Sequence, residues 1–178
     1  MGETRLQSLL IGAPGILQLG PTRHMIVRPE LLAEIQKGVE DRLGIKASEY
    51  LYAAGSLWAT HELRRLRSGA AGLADEELAR LFCQHATAMG WGEWRIGSLR
   101  HEEKGLLIRL MDSPFAEAYG QSDAPVCHLV AGAVSGLAEN LFALPAPCTE
   151  MHCRAQGAAD CQFAATATDV SGAESWSW

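Results

Sequence analysis

Apolar and polar positions change period several times along the chain, and each change marks an element. Residues 15–28 hold two short apolar runs around Gly20-Pro21, the pattern of a hairpin or irregular strand pair. Pro29 opens a helical pattern in which Leu31, Leu32, Ile35, Val39 and Leu43 recur at helical spacing, and Gly44 stops it. A second helix is expected over 46–67. Tyr50, Ala53, Ala54, Leu57, Trp58, His61 and Leu66 lie near one face of it, and Arg64, Arg65 and Arg67 crowd its last turn, where cations suit the macrodipole. A third helix runs from about Asp75 to Met89 with Leu78, Leu81, Phe82 and His85 inward, and Gly90-Trp91-Gly92 ends it. Period two then takes over. Trp94, Ile96 and Ser98 alternate with Arg95, Gly97 and Leu99. After a charged turn, Leu106, Ile108 and Leu110 alternate with Leu107, Arg109 and Met111, which predicts a β-hairpin.

Asp112-Ser113-Pro114 closes that hairpin, and a loop or short helix leads to Gly120. Ser122-Asp123-Ala124-Pro125 has the form of a helix start. In the helix expected over 125–143, Val126, Leu129, Val130, Ala133, Val134, Leu137 and Leu141 keep helical spacing, and Gly132 and Gly136 make a small-residue face. Residues 147–153 and 161–168 pair as a last strand pair around the turn at Gly157 to Asp160. No internal repeat or low-complexity tract interrupts the pattern. The order is strands, helices, a hairpin, one helix, a hairpin. It lacks βαβ alternation, so the fold class is α+β, an antiparallel sheet with helices packed on it. The expected organisation is a strand-like extension over 1–28, one ligand-binding domain over 29–168 and a tail over 169–178.

Composition narrows the function classes. At 178 residues with 48% hydrophobic and 20% charged positions, the chain is long and apolar enough to build a core without disulfides. A net charge of −6 argues against a nucleic-acid-binding surface or a polybasic membrane anchor. The longest apolar region, Val126 to Leu144, is broken by His128, Ser135, Glu139 and Asn140, so no membrane span is expected. The N-terminus lacks a basic stretch followed by a continuous apolar run, so no signal peptide is expected and the compartment is read as cytoplasmic. The five cysteines, an odd number, favour free thiols or metal ligands over a disulfide framework.

The segment that carries chemistry is Cys127 … Glu150-Met151-His152-Cys153 … Cys161. Three thiols and a carboxylate form a donor set that zinc accepts. Cys127 is expected in the first turn of its helix, where the positive end of the dipole favours a thiolate. Cys153 and Cys161 flank a turn and would be brought together by a hairpin. Simple burial of small cysteine side chains is the alternative reading. Geometry adds a demand: in a regular strand Glu150 and Cys153 face opposite ways, so sharing one ion needs a bend or bulge between them. His152, His128 and Cys148 are rival donors.

The sequence resembles the 4-vinyl reductase domain family, a predicted hydrocarbon-binding domain similar in fold to TRAPP vesicle-tethering subunits. The resemblance covers about residues 92–168. It rests on Gly90-Trp91-Gly92, on Asp112-Ser113-Pro114-Phe115-Ala116, on Ser122 to His128 with Gly132 and Gly136, and on Glu150-Met151-His152-Cys153 through Gly157-Ala158-Ala159-Asp160-Cys161-Gln162-Phe163. In aromatic-sensing members these cysteine and glutamate positions bind zinc. That implies a structural Zn²⁺ on Cys127, Glu150, Cys153 and Cys161, with Arg154 a candidate to offset the anionic charge. It also implies a pocket for a small hydrophobic or aromatic ligand. Trp58, His61, Phe82 and His85 from the helices and Trp94, Ile108 and Phe115 beyond them are the candidate lining residues. Phenol sensors of the family carry a Trp where Leu106 stands here, which makes phenol itself a poor candidate.

No G-x-G-x-x-G, P-loop, G-x-S-x-G elbow or iron–sulfur spacing accompanies these residues. The reading is therefore a sensor or carrier for a small hydrophobic molecule, with an enzyme less favoured. The alternatives are an accessory protein or 4-vinyl reductase acting on a vinyl tetrapyrrole in bacteriochlorophyll synthesis, and a structural interaction module. A homodimer, formed through the Gly132/Gly136 face and the N-terminal helices, and a downstream protein partner are expected.

Overall fold

A computed structural model of the protein describes residues 15–19, 22–69 and 72–168. The tail 169–178, most of the N-terminal extension and the turn at Gly20-Pro21 lie outside the described residues. Chain order runs β1 (Leu17–Leu19), β2 (Thr22–His24), α1 (Pro29–Leu43), α2 (Lys46–Gly69), α3 (Asp75–Ala88), β3 (Glu93–Arg100), β4 (Gly105–Met111), α4 (Pro114–Tyr119), α5 (His128–Phe142), β5 (Cys148–His152), a 3-10 turn at Arg154–Gln156, and β6 (Cys161–Thr166). β1 and β2 form a separate antiparallel ribbon. The other strands make one antiparallel sheet in the order β3-β4-β6-β5, the α+β class expected from the sequence.

Strand alternation sets the core face. Leu106, Ile108 and Leu110 of β4, with Cys161, Phe163 and Ala165 of β6, are all buried. Helix α3 covers the β3 end of this sheet, and α5 covers β5 and β6. The far side of α5 is covered by α2. Sandwiched in this way, α5 is buried continuously from Val130 to Ala138 and is apolar all round, as a central helix must be. It begins at His128 rather than at 125. The Cys127 amide donates to the Glu150 carboxylate and its carbonyl accepts the Ala131 amide, so Cys127 is the N-cap and not a first-turn residue. Ser122 accepts from the Ala124 amide in a local turn instead of capping a helix.

The α2–α5 contact is backbone on backbone. A Cβ on Gly132 would stand 1.9 Å from the Tyr52 carbonyl oxygen, and one on Gly55 would stand 1.9 Å from that of Leu129. Gly136 is held against the Ser56 carbonyl in the same way. This corrects two expectations. The Gly132/Gly136 face is spent inside the chain and does not face a second copy. The inward face of α2 is Ala47, Gly55, Ala59 and Leu63, while Tyr50, Ala53, Ala54, Leu57 and His61 are exposed. Close approach selects small residues, so the side of the helix that looks most apolar is not the side that packs.

Helix α1 departs from expectation in the same direction. Only Ala33 is buried, and Leu31, Leu32, Ile35 and Leu43 remain exposed. Polar side chains hold it: Gln36 donates to the Val126 carbonyl at 2.9 Å, and Tyr119 of α4 donates to Glu40 at 2.6 Å.

Two glycine substitutions test this packing against each other. Gly38→Ala, with open space around it on α1, should stabilise the fold by about 0.5–1 kcal/mol through helix propensity. Gly132→Ala gains the same propensity and should nevertheless destabilise by about 1–3 kcal/mol through overpacking. Urea unfolding of both variants reads the signs, and a stabilised Gly132→Ala would contradict the backbone contact.

Candidate metal centre and apolar cavity

β5 is an edge strand whose Cys148 and Glu150 face inward. Its pairing with β6 shifts register between Glu150 and His152. That bulge meets the demand set by the three-residue spacing, and turns Cys153 to the same side as Glu150. Cys153 leaves the strand extended, and the 3-10 turn then ends on Gly157, whose φ of 92° lies in the left-handed region that favours glycine. Cys161 opens β6 directly across this turn, and Cys127 reaches the same point from the head of α5.

Cys127, Glu150, Cys153 and Cys161 are buried, and one ligand atom from each lies within 4.8 Å of all the others. The sulfurs of Cys127 and Cys161 stand 3.8 Å apart. Two thiolates at about 2.3 Å from one tetrahedral zinc adopt nearly that separation. Glu150 Oε2 accepts the Cys127 amide at 2.9 Å, while Oε1 is buried with no hydrogen-bond partner. An unsatisfied buried carboxylate oxygen is costly, and a cation beside three sulfurs would remove the cost. The residues present therefore fit a zinc ion. Cys127, Cys153, Cys161 and Glu150 Oε1 would hold it, and bound zinc would supply a cross-link between the head of α5 and the last hairpin.

Electrostatics point the same way. Burial pushes the Glu150 carboxyl up to about 8, helped by Cys153. Hydrogen bonds from Cys127 and Cys161 lower the Cys153 thiol, whereas the Cys127 thiol is raised by its contacts with Cys153 and Cys161 and by burial. One anion suppresses the next, so without a cation the four groups do not ionise together.

The surrounding donors are main chain more than side chain. The Arg154 amide donates to Cys161 Sγ at 3.4 Å, and the Ser113 hydroxyl lies 3.7 Å from Cys127 Sγ. The Arg154 guanidinium instead reaches Asp112 at 2.8 Å, so the expected charge compensation by that side chain is not what the structure shows. Of the rival donors, His152 is exposed, His128 is half-buried, and Cys148 directs its thiol to the Thr149 carbonyl; none belongs to the cluster.

A cavity of about 670 Å³ lies between the β1–β2 ribbon, the start of α1 and the junction of α3 with β3. Trp58 and Trp91 stack in its wall at 4.2 Å, and Phe115 meets Trp91 edge-on at 5.2 Å. Phe82 contacts Trp58, and Trp94 contacts Phe82, so the aromatic set continues into the core.

The expected lining residues therefore separate. Trp58 and Phe115 line the cavity. Phe82 and Trp94 back it, and Leu106 and Ile108 are core residues of β4. His85 is half-buried, its Nε2 2.9 Å from Glu62, which also accepts from Arg65. His61 is exposed and lines nothing here, for the reason given for α2. The residues missed by sequence reasoning are Trp91 and the β1–β2 ribbon with the segment that follows it. Gly90-Trp91-Gly92 reads from sequence as a helix stop, and the tryptophan between the glycines carried no periodic signal.

Residues 106–167 match the family model of the vinyl-4-reductase domain. That interval contains the Asp112, Ser122 and Glu150 motifs on which the resemblance seen in the sequence rests. Among solved structures, the phenol-responsive sensory domain of the transcription activator PoxR, with phenol, is similar at a TM-score of 0.77 and 18% identity, over 92% of this chain and 87% of that one. A trafficking protein particle complex subunit 3 from Naegleria fowleri, covalently bound to palmitic acid, has a TM-score of 0.58 at 14% identity, over 79% of this chain and 95% of that one. A vinyl-4-reductase family protein from Methanocaldococcus jannaschii has a TM-score of 0.54 at 18% identity, over 82% and 84%. At these identities the likeness is one of fold, and the fold is the TRAPP-like one expected. No match is found among curated proteins.

The Glu62–His85 pair carries a pH signature. Burial, the largest influence, lowers the His85 pKa despite Glu62. The unfolded chain then binds more protons than the folded one as pH falls through the ordinary histidine value of about 6.5. The stability due to neutral His85 is therefore present above that pH and lost below it. Thermal melts between about pH 8 and 5 should show a loss that His85→Gln reduces; an identical pH profile in the variant would contradict the assignment.

Proposed function

We propose that this chain, matched to the vinyl-4-reductase domain over residues 106–167, binds a small hydrophobic or aromatic molecule as a sensor or carrier and holds a structural Zn²⁺. The observation that carries the proposal is the cavity of about 670 Å³ walled by Trp58, Trp91 and Phe115, a size within the range of small-molecule sites. The phenol-bound PoxR sensory domain of the same fold supports the sensor form of this reading. The buried thiol and carboxylate cluster supports the zinc.

The metal has a structural part in this proposal. Three thiolates and a carboxylate complete its coordination and leave no position open for a substrate, the arrangement of a closed site. Its binding free energy adds to folding free energy. A homodimer, a downstream protein partner and a cytoplasmic location belong to the same proposal. The exposed Leu31, Leu32, Ile35 and Leu43 support a contact surface on α1, and no helix of the described residues is long and apolar enough to cross a membrane.

Native mass spectrometry with elemental analysis tests the metal. The full chain should carry one zinc, and Cys153→Ser or Cys161→Ser should lose it and lower the melting temperature sharply. A variant with full zinc and an unchanged melt would defeat the assignment.

Ala88 lines the cavity from the end of α3 and is exposed toward it. Ala88→Trp should fill the space and weaken binding of a hydrophobic probe at least about tenfold, on the order of 1.4 kcal/mol, with zinc content unchanged. Unaltered probe binding would place the ligand elsewhere.

A further inference from the structure

The cavity wall is apolar and aromatic except at one end. There β2 contributes Arg23 and His24, the ionisable side chains of the lining among the described residues. No carboxylate lines the cavity there, although the chain carries 21 acidic against 15 basic residues. Most of the other arginines already meet an acid: Arg28 pairs with Glu30, Arg95 with Glu93, Arg100 with Glu103, and Arg109 with Asp160. Arg23 forms no such pair among the described residues. His24 is oriented by its own strand, its Nδ1 3.0 Å from the Thr22 carbonyl. Because a carbonyl only accepts, Nδ1 carries a proton and Nε2 is left to face a ligand.

The neighbouring polar groups do not cancel this end. Trp58 is one helical turn before Glu62 on α2, but Glu62 is taken by His85 and Arg65. His85 and His24 are close enough for the charge of one to oppose that of the other. The set facing Arg23 and His24 thus contains a further imidazole and an arginine, with Glu62 already engaged.

We infer that the ligand of this cavity is a hydrophobic carboxylate, its apolar body against Trp58 and Trp91 and its carboxylate on Arg23 and His24. The inference rests on the cavity being the ligand site. A guanidinium fork matches a carboxylate in charge and shape, and one such fork suits a monoanion on an apolar body. A neutral alcohol or ester of the same body keeps the hydrophobic contact and loses the charge-assisted one.

Calorimetric titration of the zinc-loaded full chain with phenylbutanoate, phenylbutanol and methyl phenylbutanoate tests the point. The acid should bind about tenfold tighter than the alcohol or the ester, the ratio expected of one charge-assisted hydrogen bond open to solvent. The acid's advantage should shrink as salt is raised, and the alcohol's affinity should not change. Arg23→Gln should remove most of the advantage without altering alcohol binding, zinc content or the melt, and His24→Gln should remove part of it. Equal affinity for all three probes would overturn the carboxylate inference and leave the hydrophobic site standing. An acid preference that persists in both variants would overturn it as well, by placing the anion elsewhere. No binding of any probe to folded, zinc-loaded protein would overturn both this inference and the cavity as the ligand site.

Discussion

Bringing Cys127, Glu150, Cys153 and Cys161 to within 4.8 Å in a buried place imposes a constraint that the C-terminal half of the chain is shaped to meet. Four acids at that distance in a medium of low polarity cannot all be charged unless a cation joins them. Their positions come from features with no other evident use. These are the bulge in β5, the left-handed Gly157, and a helix that starts later than its Pro125 signal so that Cys127 becomes its cap. Each departs from regular structure, and each departure turns a ligand toward the same point.

The second constraint is steric. α5 is covered on both sides, by the sheet and by α2, and the glycines at 55, 132 and 136 let the α2 and α5 backbones touch. Core residues such as Val130, Val134 and Leu137 are fully buried as a result, each contributing about 1.5–3 kcal/mol relative to exposure. The head of α5, and with it Cys127, is thereby held rigidly from one side by α2 and from the other by β5 and β6. Tyr52 reinforces this by accepting the Cys148 amide at 2.8 Å, which ties α2 directly to the strand that carries Glu150.

Much of this was legible in the sequence, and the failures share a cause. Element types follow the periodicity closely, and the cluster residues could be named from chemistry and spacing, including the need for a bulge between Glu150 and Cys153. Which helix face packs was not legible for α1 and α2. Hydrophobicity points to Leu31, Ile35, Tyr50 and Leu57, while the structure packs Ala33, Ala47, Gly55 and Ala59, because the backbone approach there excludes large side chains. A small-residue seam carries little hydrophobic signal, and Gly132 and Gly136 alone do not say whether their partner is the same chain or another. The cavity is assembled from the β1–β2 ribbon, α1, the end of α3 and the start of α4. Four separate segments leave no local pattern, so Trp58 and Phe115 were found and Trp91 and His24 were not.

Helix α1 touches both sites. Pro29 and Leu32 at its start stand in the cavity wall, and Gln36, one turn on from Leu32, holds the Val126 carbonyl immediately before Cys127. With so little of the helix buried, these polar latches are a large share of what positions it. A body in the cavity that presses on Leu32 therefore pulls or relaxes the residue preceding a metal ligand, and the geometry works in reverse as well. Thermodynamic reciprocity makes the two directions equal: whatever factor cavity occupancy imposes on retention of the ion, the ion imposes on retention of the occupant. The α1 helix is thus a rocker arm between two equilibria, and its exposed leucines are the place where that motion would be visible from outside the molecule.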